Sequence, residues 1–357
     1  MGMEMTHRVV LQPSGHTFDV ADDQYVLTAG LEAGWNLPYS CRVGMCRSCR
    51  AKLVHGDLEL SDYLPHVLTP EMQAQKLVLL CRAKAKSDLV VEVRELSLQA
   101  IRPKIVPCRV KRVERVTPDI AIVDLRLPQN ENMRYAAGQY VDVLLPGGER
   151  RAYSIATCPR PEGVIDLQLH IRHTPGGLFT DQVFATLKER DLLKFEGPRG
   201  TFYLREETKK PIVLLASGTG LAPIKSIIEY VIARKIARPM ALYWGCRTRA
   251  DLYLNELAQK WQREVPDFRY VPVLSDATLA DVWAGRAGLV HRAVIEDLPD
   301  LSGHEVYASG NPAMVDAARL DCIAKSGLPE DAFFADAFVT EADRAAAPRP
   351  APEIVDA

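Results

Sequence analysis

The hydrophobic positions change their period along the chain, and each change marks a different kind of structure. Near the start, Arg8-Val9-Val10-Leu11 and Thr17-Phe18-Asp19-Val20 flank Pro13-Ser14-Gly15, which predicts a hairpin. Residues 26–33 carry Leu27 and Leu31 at helical spacing, and Gly34 stops the helix. Ala51-Lys52-Leu53-Val54 and Leu89-Val90-Val91-Glu92-Val93 read as further strands. Residues 96–107 have no period and hold Pro103 and Pro107, so a linker is expected there. Between 108 and about 205, the stretches 120–127, 138–144 and 165–171 alternate apolar with polar positions. Many short strands with Pro and Gly turns predict an antiparallel β-barrel. From Pro211 the pattern changes again. Ile212-Val213-Leu214-Leu215-Ala216 is a continuous apolar run, as in a buried parallel strand. Helical stretches at 224–234 and 254–261 alternate with strand-like 240–244, 270–273 and 306–309, which predicts an α/β doubly wound sheet. Beyond Ala345, alanine, proline and charge dominate, and a disordered tail is expected. No internal repeat is present. The resulting domain plan is 5–96, a linker at 97–107, 108–206, 207–340 and a tail at 341–357.

Composition narrows the function classes. The formal net charge of −2 lacks the basic excess that a nucleic-acid binder needs. No apolar run approaches a membrane span, and Met1-Gly2-Met3-Glu4-Met5-Thr6 lacks the regions of a signal peptide. Cys108, Cys158, Cys246 and Cys322 are scattered, which fits free thiols in a reducing compartment. A cytoplasmic monomer is the expectation, with neither nucleic acid nor membrane as partner.

The remaining four cysteines are not scattered. Four residues separate Cys41 from Cys46, two separate Cys46 from Cys49, and thirty-one separate Cys49 from Cys81. That is the plant-type spacing for a [2Fe–2S] cluster, in which a sharply turned loop offers three thiolates and a distant residue the fourth. Gly44 gives the turn a position without a Cβ. A zinc site or buried structural thiols are the alternatives. Structural zinc sites usually pair two Cys-x-x-Cys knuckles, and only Cys46–Cys49 has that form. With the strands around it, the segment resembles the β-grasp fold of plant-type ferredoxins.

Two later stretches carry nucleotide chemistry. Arg151-Ala152-Tyr153-Ser154 ends a barrel strand and, taken alone, also reads as a half-buried edge. His170-Ile171-Arg172-His173-Thr174-Pro175-Gly176-Gly177-Leu178-Phe179-Thr180 follows, and its glycines admit a phosphate to a helix N-terminus. Together they resemble the flavin-binding domain of the ferredoxin-NADP reductase superfamily. The resemblance implies that Arg151 pairs with the FAD pyrophosphate, Tyr153 lies against the isoalloxazine or ribityl, and Ser154 hydrogen-bonds near flavin N5. It also implies that Gly177, Leu178 and Thr180 hold phosphates, with His170, Ile171 and Gly176 beside them.

Ser217-Gly218-Thr219-Gly220-Leu221-Ala222-Pro223 follows a buried strand and opens a helix. A pyrophosphate is therefore expected at Gly218, Thr219, Gly220, Ala222 and Pro223, although the third glycine of the dinucleotide fingerprint is missing. A plain strand–helix turn is the alternative. In Tyr307-Ala308-Ser309-Gly310-Asn311-Pro312, Ser309 stands where the superfamily has a cysteine beside the nicotinamide, and Gly310 follows it. Arg47 in the cysteine loop is a second departure, because most plant-type loops carry glycine there. An aromatic near the C-terminus covers the flavin in that superfamily, and Phe338 matches it.

The order ferredoxin, flavin, nicotinamide resembles the three-domain reductase components of bacterial multicomponent oxygenases. Within them the resemblance runs closest to CDP-6-deoxy-glucoseen reductase-like proteins. It implies electron transfer from NAD(P)H through FAD and the cluster to a terminal oxygenase, or alternatively to a dehydrase of deoxysugar biosynthesis. A redox sensor without catalysis is the third possibility, and it needs no nicotinamide site. Trp244-Gly245-Cys246-Arg247-Thr248-Arg249, where the adenosine ribose is expected, offers no acid to reject a 2′-phosphate, and Arg247 or Arg249 would accept one. NADH is nevertheless the modest preference over NADPH.

Overall fold

The computed structural model describes residues 6–96, 101–340 and 354–355. The chain divides into two compact units, Met1–Ala100 with Ala337–Ala357, and Ile101–Asp336.

The first unit is built on a mixed sheet. β1 (Thr6–Gln12) and β2 (Thr17–Ala21) form the expected hairpin, pairing Thr6 with Ala21 and Val10 with Thr17. α1 (Val26–Glu32) follows and buries Val26, Leu27 and Ala29. β3 (Arg50–His55), β4 (Leu58–Leu60), α2 (Pro70–Ala74), β5 (Leu77–Leu79), β6 (Ala83–Ala85) and β7 (Leu89–Glu92) complete it. The sheet order is β2-β1-β7-β3-β5, with β7 parallel to β1 and antiparallel to β3. Val9, Leu11, Leu53 and Val91 point to one buried face, which is the β-grasp core. Alternation in β1 and β3 fixes that register, since a one-residue slip would turn these side chains to water.

The second unit begins with an antiparallel barrel. β8 (Lys104–Thr117), β9 (Ile120–Arg126), β10 (Tyr140–Leu144), β11 (Arg150–Ser154), β12 (Asp166–Arg172), α3 (Leu178–Ala185) and β13 (Leu192–Arg199) are its elements. The ladder runs β11-β10-β13-β8-β9-β12, and a bridge from Ile155 to Leu169 joins its two ends. Alternate residues fill the interior, including Val123, Leu125, Val141, Val143, Leu167 and Leu169. β8 starts inside the stretch expected as a linker, of which 97–100 lie outside the described residues. Pro107 is tolerated in β8 because β9 joins only from Arg109, so at Pro107 the strand has a neighbour on one side only, β13.

A parallel sheet follows. Its elements are β14 (Ile212–Ser217), α4 (Leu221–Ala233), β15 (Met240–Cys246), α5 (Asn255–Glu264), β16 (Phe268–Leu274), β17 (Arg286–Ala287), α6 (Val290–Asp297), β18 (Glu305–Gly310), α7 (Pro312–Ser326) and β19 (Phe333–Ala337). The order β17-β16-β15-β14-β18-β19 places the first strand, β14, centrally, with β15 on one side and β18 on the other. The order therefore reverses at β14, where an open sheet leaves a crevice at the carboxyl ends of its strands. Polar contacts tie this layer to the barrel. Ser226 Oγ donates to the Thr157 carbonyl at 2.7 Å, and Arg205 N–H donates to the Tyr307 hydroxyl at 2.9 Å.

The expected tail at 341–357 lies outside the described residues except for β20 (Ile354–Val355), which pairs antiparallel with β4.

Candidate functional site

The cysteine loop lies between α1 and β3. It turns on left-handed backbone at Arg42, Gly44 and Arg47. At Gly44 a Cβ would stand 2.8 Å from Tyr63 Cβ and 3.0 Å from Arg82 Cγ, so the φ of +75° and the packing both require glycine. The turn aims N–H groups at sulfur. Met45 N–H donates to Cys41 Sγ at 3.3 Å, and Cys41 N–H donates to Cys46 Sγ at 3.4 Å. The thiols form two contacting pairs, Cys41 with Cys46 and Cys49 with Cys81. Those contacts first, and burial second, hold Cys41 and Cys49 well above the usual thiol range. Cys46 is lowered to about 6 by its hydrogen bond from Cys41, against burial and helped by Ser48. Four sulfurs in two pairs, wrapped by donor N–H groups, fit a two-iron rhomb that takes two thiolates on each iron. Among the described residues no three His, Cys, Asp or Glu side chains are spaced for a single metal ion. Cys108, Cys246 and Cys322 are buried singly, and burial pushes each up to about 12. Arg47 is no free surface cation, for its guanidinium donates to the His66 carbonyl.

β11 presents the flavin candidates. Arg151 is half-buried and donates to the Arg150 carbonyl at 3.0 Å. The ring of Tyr153 lies tilted against Phe179, with centroids 5.5 Å apart. Ser154 is buried, and its hydroxyl donates to Asp336 Oδ2 at 3.0 Å. Gly177 caps α3 without a side-chain capping bond, which leaves the helix N-terminus suited to an anion. Thr180 Oγ1 donates to the Thr174 carbonyl at 2.8 Å, so that hydroxyl shapes the loop while Leu178 is exposed at its mouth. Gly176 N–H donates to Asp181 Oδ2 at 3.1 Å, and Asp181 also meets His173.

His170 and Ile171 are both buried, on opposite faces of β12, Ile171 toward the barrel interior and His170 against Tyr253. Ile171 belongs to the barrel core. Both ring nitrogens of His170 are occupied, Nδ1 by the Tyr253 hydroxyl at 2.8 Å and Nε2 by Gln168 Oε1 at 3.1 Å. Gln168 Nε2 donates to Asp124 Oδ1, so its Oε1 faces His170 as an acceptor. His170 therefore carries its proton on Nε2 and accepts at Nδ1. Burial lowers its pKa to about 3, with Lys225 adding to the effect, and the ring is neutral.

The nucleotide loop is one 3-10 turn, Gly218–Gly220, running directly into α4. A Cβ on Gly220 would stand 2.1 Å from the Ser309 carbonyl oxygen, so only glycine lets the loops after β14 and β18 touch. Ala222 and Pro223 are buried in the first turn of α4, and Thr219 is buried in the loop. Asn311 N–H donates to Ser217 Oγ at 2.8 Å and fixes the Gly310 turn. Ser309 is fully buried, and its Oγ has no hydrogen-bond partner among the described residues. An unpartnered buried hydroxyl is unusual, and this one lies at the carboxyl end of β18, next to Gly310. Arg172 of β12 reaches across the crevice, its Nη2 lying 3.2 Å from where a Gly218 Cβ would stand. Arg247 is more than half exposed and meets Asp119 and Asp251.

Three domain families match the chain in this order: a 2Fe-2S iron-sulfur cluster binding domain over residues 9–86, an oxidoreductase FAD-binding domain over 107–203, and an oxidoreductase NAD-binding domain over 214–320. The CDP-6-deoxy-L-threo-D-glycero-4-hexulose-3-dehydrase reductase of Yersinia pseudotuberculosis is 42% identical over 338 residues, 94% of this chain and 99% of that protein. The chain belongs to the three-domain iron–sulfur flavoprotein reductases. Reductase component 2 of terephthalate 1,2-dioxygenase from Comamonas is 35% identical to it, covering 94% of this chain and 98% of that one. Among solved structures, the Amycolatopsis cytochrome P450 reductase GcoB superposes with a TM-score of 0.74 at 32% identity, covering 94% and 99% of the two chains.

In this reductase the fold brings the loops after β11, β12, β14 and β18 into one unit, with the cysteine loop in the other. Phe338 directly follows β19 and is half-buried. Sequence reasoning missed Asp336, Tyr253 and Asp119. Asp336 lies two residues before Phe338, but nothing local marks it as the partner of a serine 182 positions away.

Proposed function

We propose that the reductase draws hydride from NADH in preference to NADPH and delivers single electrons to a terminal oxygenase. The contact of Arg172 with the Gly218 loop carries this reading, because it sets the flavin barrel and the nucleotide crevice face to face. Bound FAD supplies the change from two-electron to one-electron chemistry, and the cluster supplies a one-electron outlet. The chain supplies position. Arg151, Tyr153 and the α3 N-terminus at Gly176-Gly177 hold the flavin nucleotide, with Leu178 and Thr180 shaping the phosphate loop. Gly218, Thr219, Gly220, Ala222 and Pro223 hold the nicotinamide pyrophosphate at the start of α4. Ser154, whose hydroxyl donates to Asp336, would hydrogen-bond near flavin N5 of a bound FAD, Ser309 and Gly310 would border the hydride path, and Phe338 would cover the flavin. Cys41, Cys46, Cys49 and Cys81 hold the cluster. None of the eight cysteines is in a disulfide, which fits a reducing compartment such as the cytoplasm, and the reductase works there as a monomer.

The higher identity to the Yersinia dehydrase reductase favours a second reading, in which the acceptor is a dehydrase. Reconstitution separates the two. The holoprotein and NADH are combined with an oxygenase component or with a hexulose dehydrase, and product is measured. Turnover with the dehydrase alone would replace the first reading by the second. Failure of the flavin- and cluster-loaded protein to reduce cytochrome c would overturn both.

A further inference from the structure

The segment after β15 contains no acid before Asp251, yet the fold brings one to it. Asp119 lies in the turn between β8 and β9 of the barrel. The Thr117 hydroxyl donates to its Oδ1 at 2.9 Å, its own N–H donates to Thr117 Oγ1 at 3.3 Å, and its carbonyl accepts His173 N–H at 2.7 Å. Two of these bonds fix the Asp119 backbone, and the Thr117 hydroxyl holds one carboxylate oxygen. Its Oδ2 meets Arg247 Nη2 at 3.1 Å and Arg172 Nη1 at 3.5 Å. Arg247 is held from its other side by Asp251, with Nε to Oδ2 at 3.3 Å. Asp251 is buried and locked by Thr248 in a reciprocal cap. Two guanidiniums and two carboxylates thus form a neutral group at the mouth of the nucleotide crevice.

We propose that Asp119 is a positioning residue that selects NADH over NADPH by holding Arg247, and with it Arg172, already neutralised. The proposal rests on the reading that the adenosine ribose lies beside the segment after β15. A 2′-phosphate binds tightly where it meets an uncompensated guanidinium. In this reductase it meets Arg247 between two carboxylates. It must either displace a formed ion pair or accept repulsion from Asp119 and Asp251. A 2′-hydroxyl carries no charge and can donate to a carboxylate, so it meets neither penalty. The sequence preference for NADH had no acid to rest on, and the barrel supplies one from 128 positions away.

The test uses the FAD- and cluster-loaded holoprotein. Asp119→Asn keeps the shape and removes the charge, and flavin content and Tm check the fold. Asp119→Ser serves if the Asn variant loses flavin. Calorimetric titration with 2′,5′-ADP and with 5′-AMP reads binding, and kcat/KM for NADPH and NADH reads turnover. The expected result is a gain of about tenfold in 2′,5′-ADP affinity and in the NADPH-to-NADH ratio, with 5′-AMP little changed. The gain should shrink at high salt, because these groups are partly exposed, and should vanish in Asp119→Asn with Arg247→Gln. An unchanged ratio, or equal weakening of both nucleotides as a simple fastener between barrel and sheet would give, overturns the proposal. If Arg247→Gln alone alters neither nucleotide, the placement of the ribose falls, and the proposal with it. If Arg247→Gln weakens 2′,5′-ADP while Asp119→Asn does nothing, the placement stands and only the role of Asp119 is lost.

Discussion

Two buried polar side chains near the flavin and nicotinamide loops behave in opposite ways. His170 has a partner at each nitrogen and is held neutral by burial. Its folded pKa, about 3, lies below the ordinary value near 6.5. Between those values the unfolded chain binds a proton that the folded chain does not, so stability falls as pH drops below about 6.5. At pH 5 the loss attributable to His170 is about 2 kcal/mol. Urea unfolding at pH 7 and pH 5 measures it, and His170→Gln should flatten the difference. An equal pH dependence in wild type and variant would show that other groups carry it. Ser309 is the reverse case, a buried hydroxyl with no partner among the described residues. Ser309→Ala should leave the nucleotide-free protein as stable or more stable by about 1 kcal/mol, because an unpaired hydroxyl is costly to bury. The same variant should slow flavin bleaching at saturating NADH in a stopped-flow mixing experiment. Normal bleaching would remove Ser309 from the hydride path.

At the scale of elements, the cysteine loop works as one piece. Its turns orient donors toward Cys41 and Cys46, while Cys81 enters from the turn between β5 and β6. Loss of any of the four thiols should therefore empty the loop. In Cys81→Ser the visible absorption and bound iron of the cluster are expected to vanish, whereas Cys246→Ser should keep both. Retained iron in the first variant, or lost iron in the second, would refute the ligand set. The elements without a legible signature in the sequence are short or lack a clean period. β4, β5 and β6 have three residues each, too few for a period to show. β13 mixes charge with apolar positions, since Lys194 and Glu196 point outward between Leu193, Phe195 and Gly197. α7 is legible at its ends, with Asn311 capping and Gly327 in left-handed backbone, but its middle has no strong apolar stripe.

For the whole molecule, electron order is the property to test. Flavin lies upstream of the cluster, so the Cys81→Ser protein should still reduce ferricyanide with NADH and fail with cytochrome c. The C-terminal end gives a second test. Truncation after Arg344 removes β20 and should leave flavin content and NADH oxidation unchanged. Phe338→Ala should keep the fold, shift the flavin spectrum and raise oxidase leakage to oxygen, because a stacked ring adds about 1 kcal/mol of cover beyond burial. Unchanged spectra and leakage in a folded variant would make Phe338 an ordinary packing residue.

The sequence by itself determined whatever is local in its physics. Cysteine spacing announced the cluster because three ligands must share one turn. Glycines announced tight loops, and at Gly220 a Cβ would collide with backbone, while the change of period from alternation to continuous apolar runs separated barrel from parallel sheet. Only the tertiary structure decided which polar groups meet. Ser154 finds Asp336, His170 finds Tyr253 and Arg247 finds Asp119 across separations of 182, 83 and 128 positions. No period encodes such pairs. Each depends on where two independently formed elements come to rest, and the low dielectric of a packed interior then makes the pairing matter.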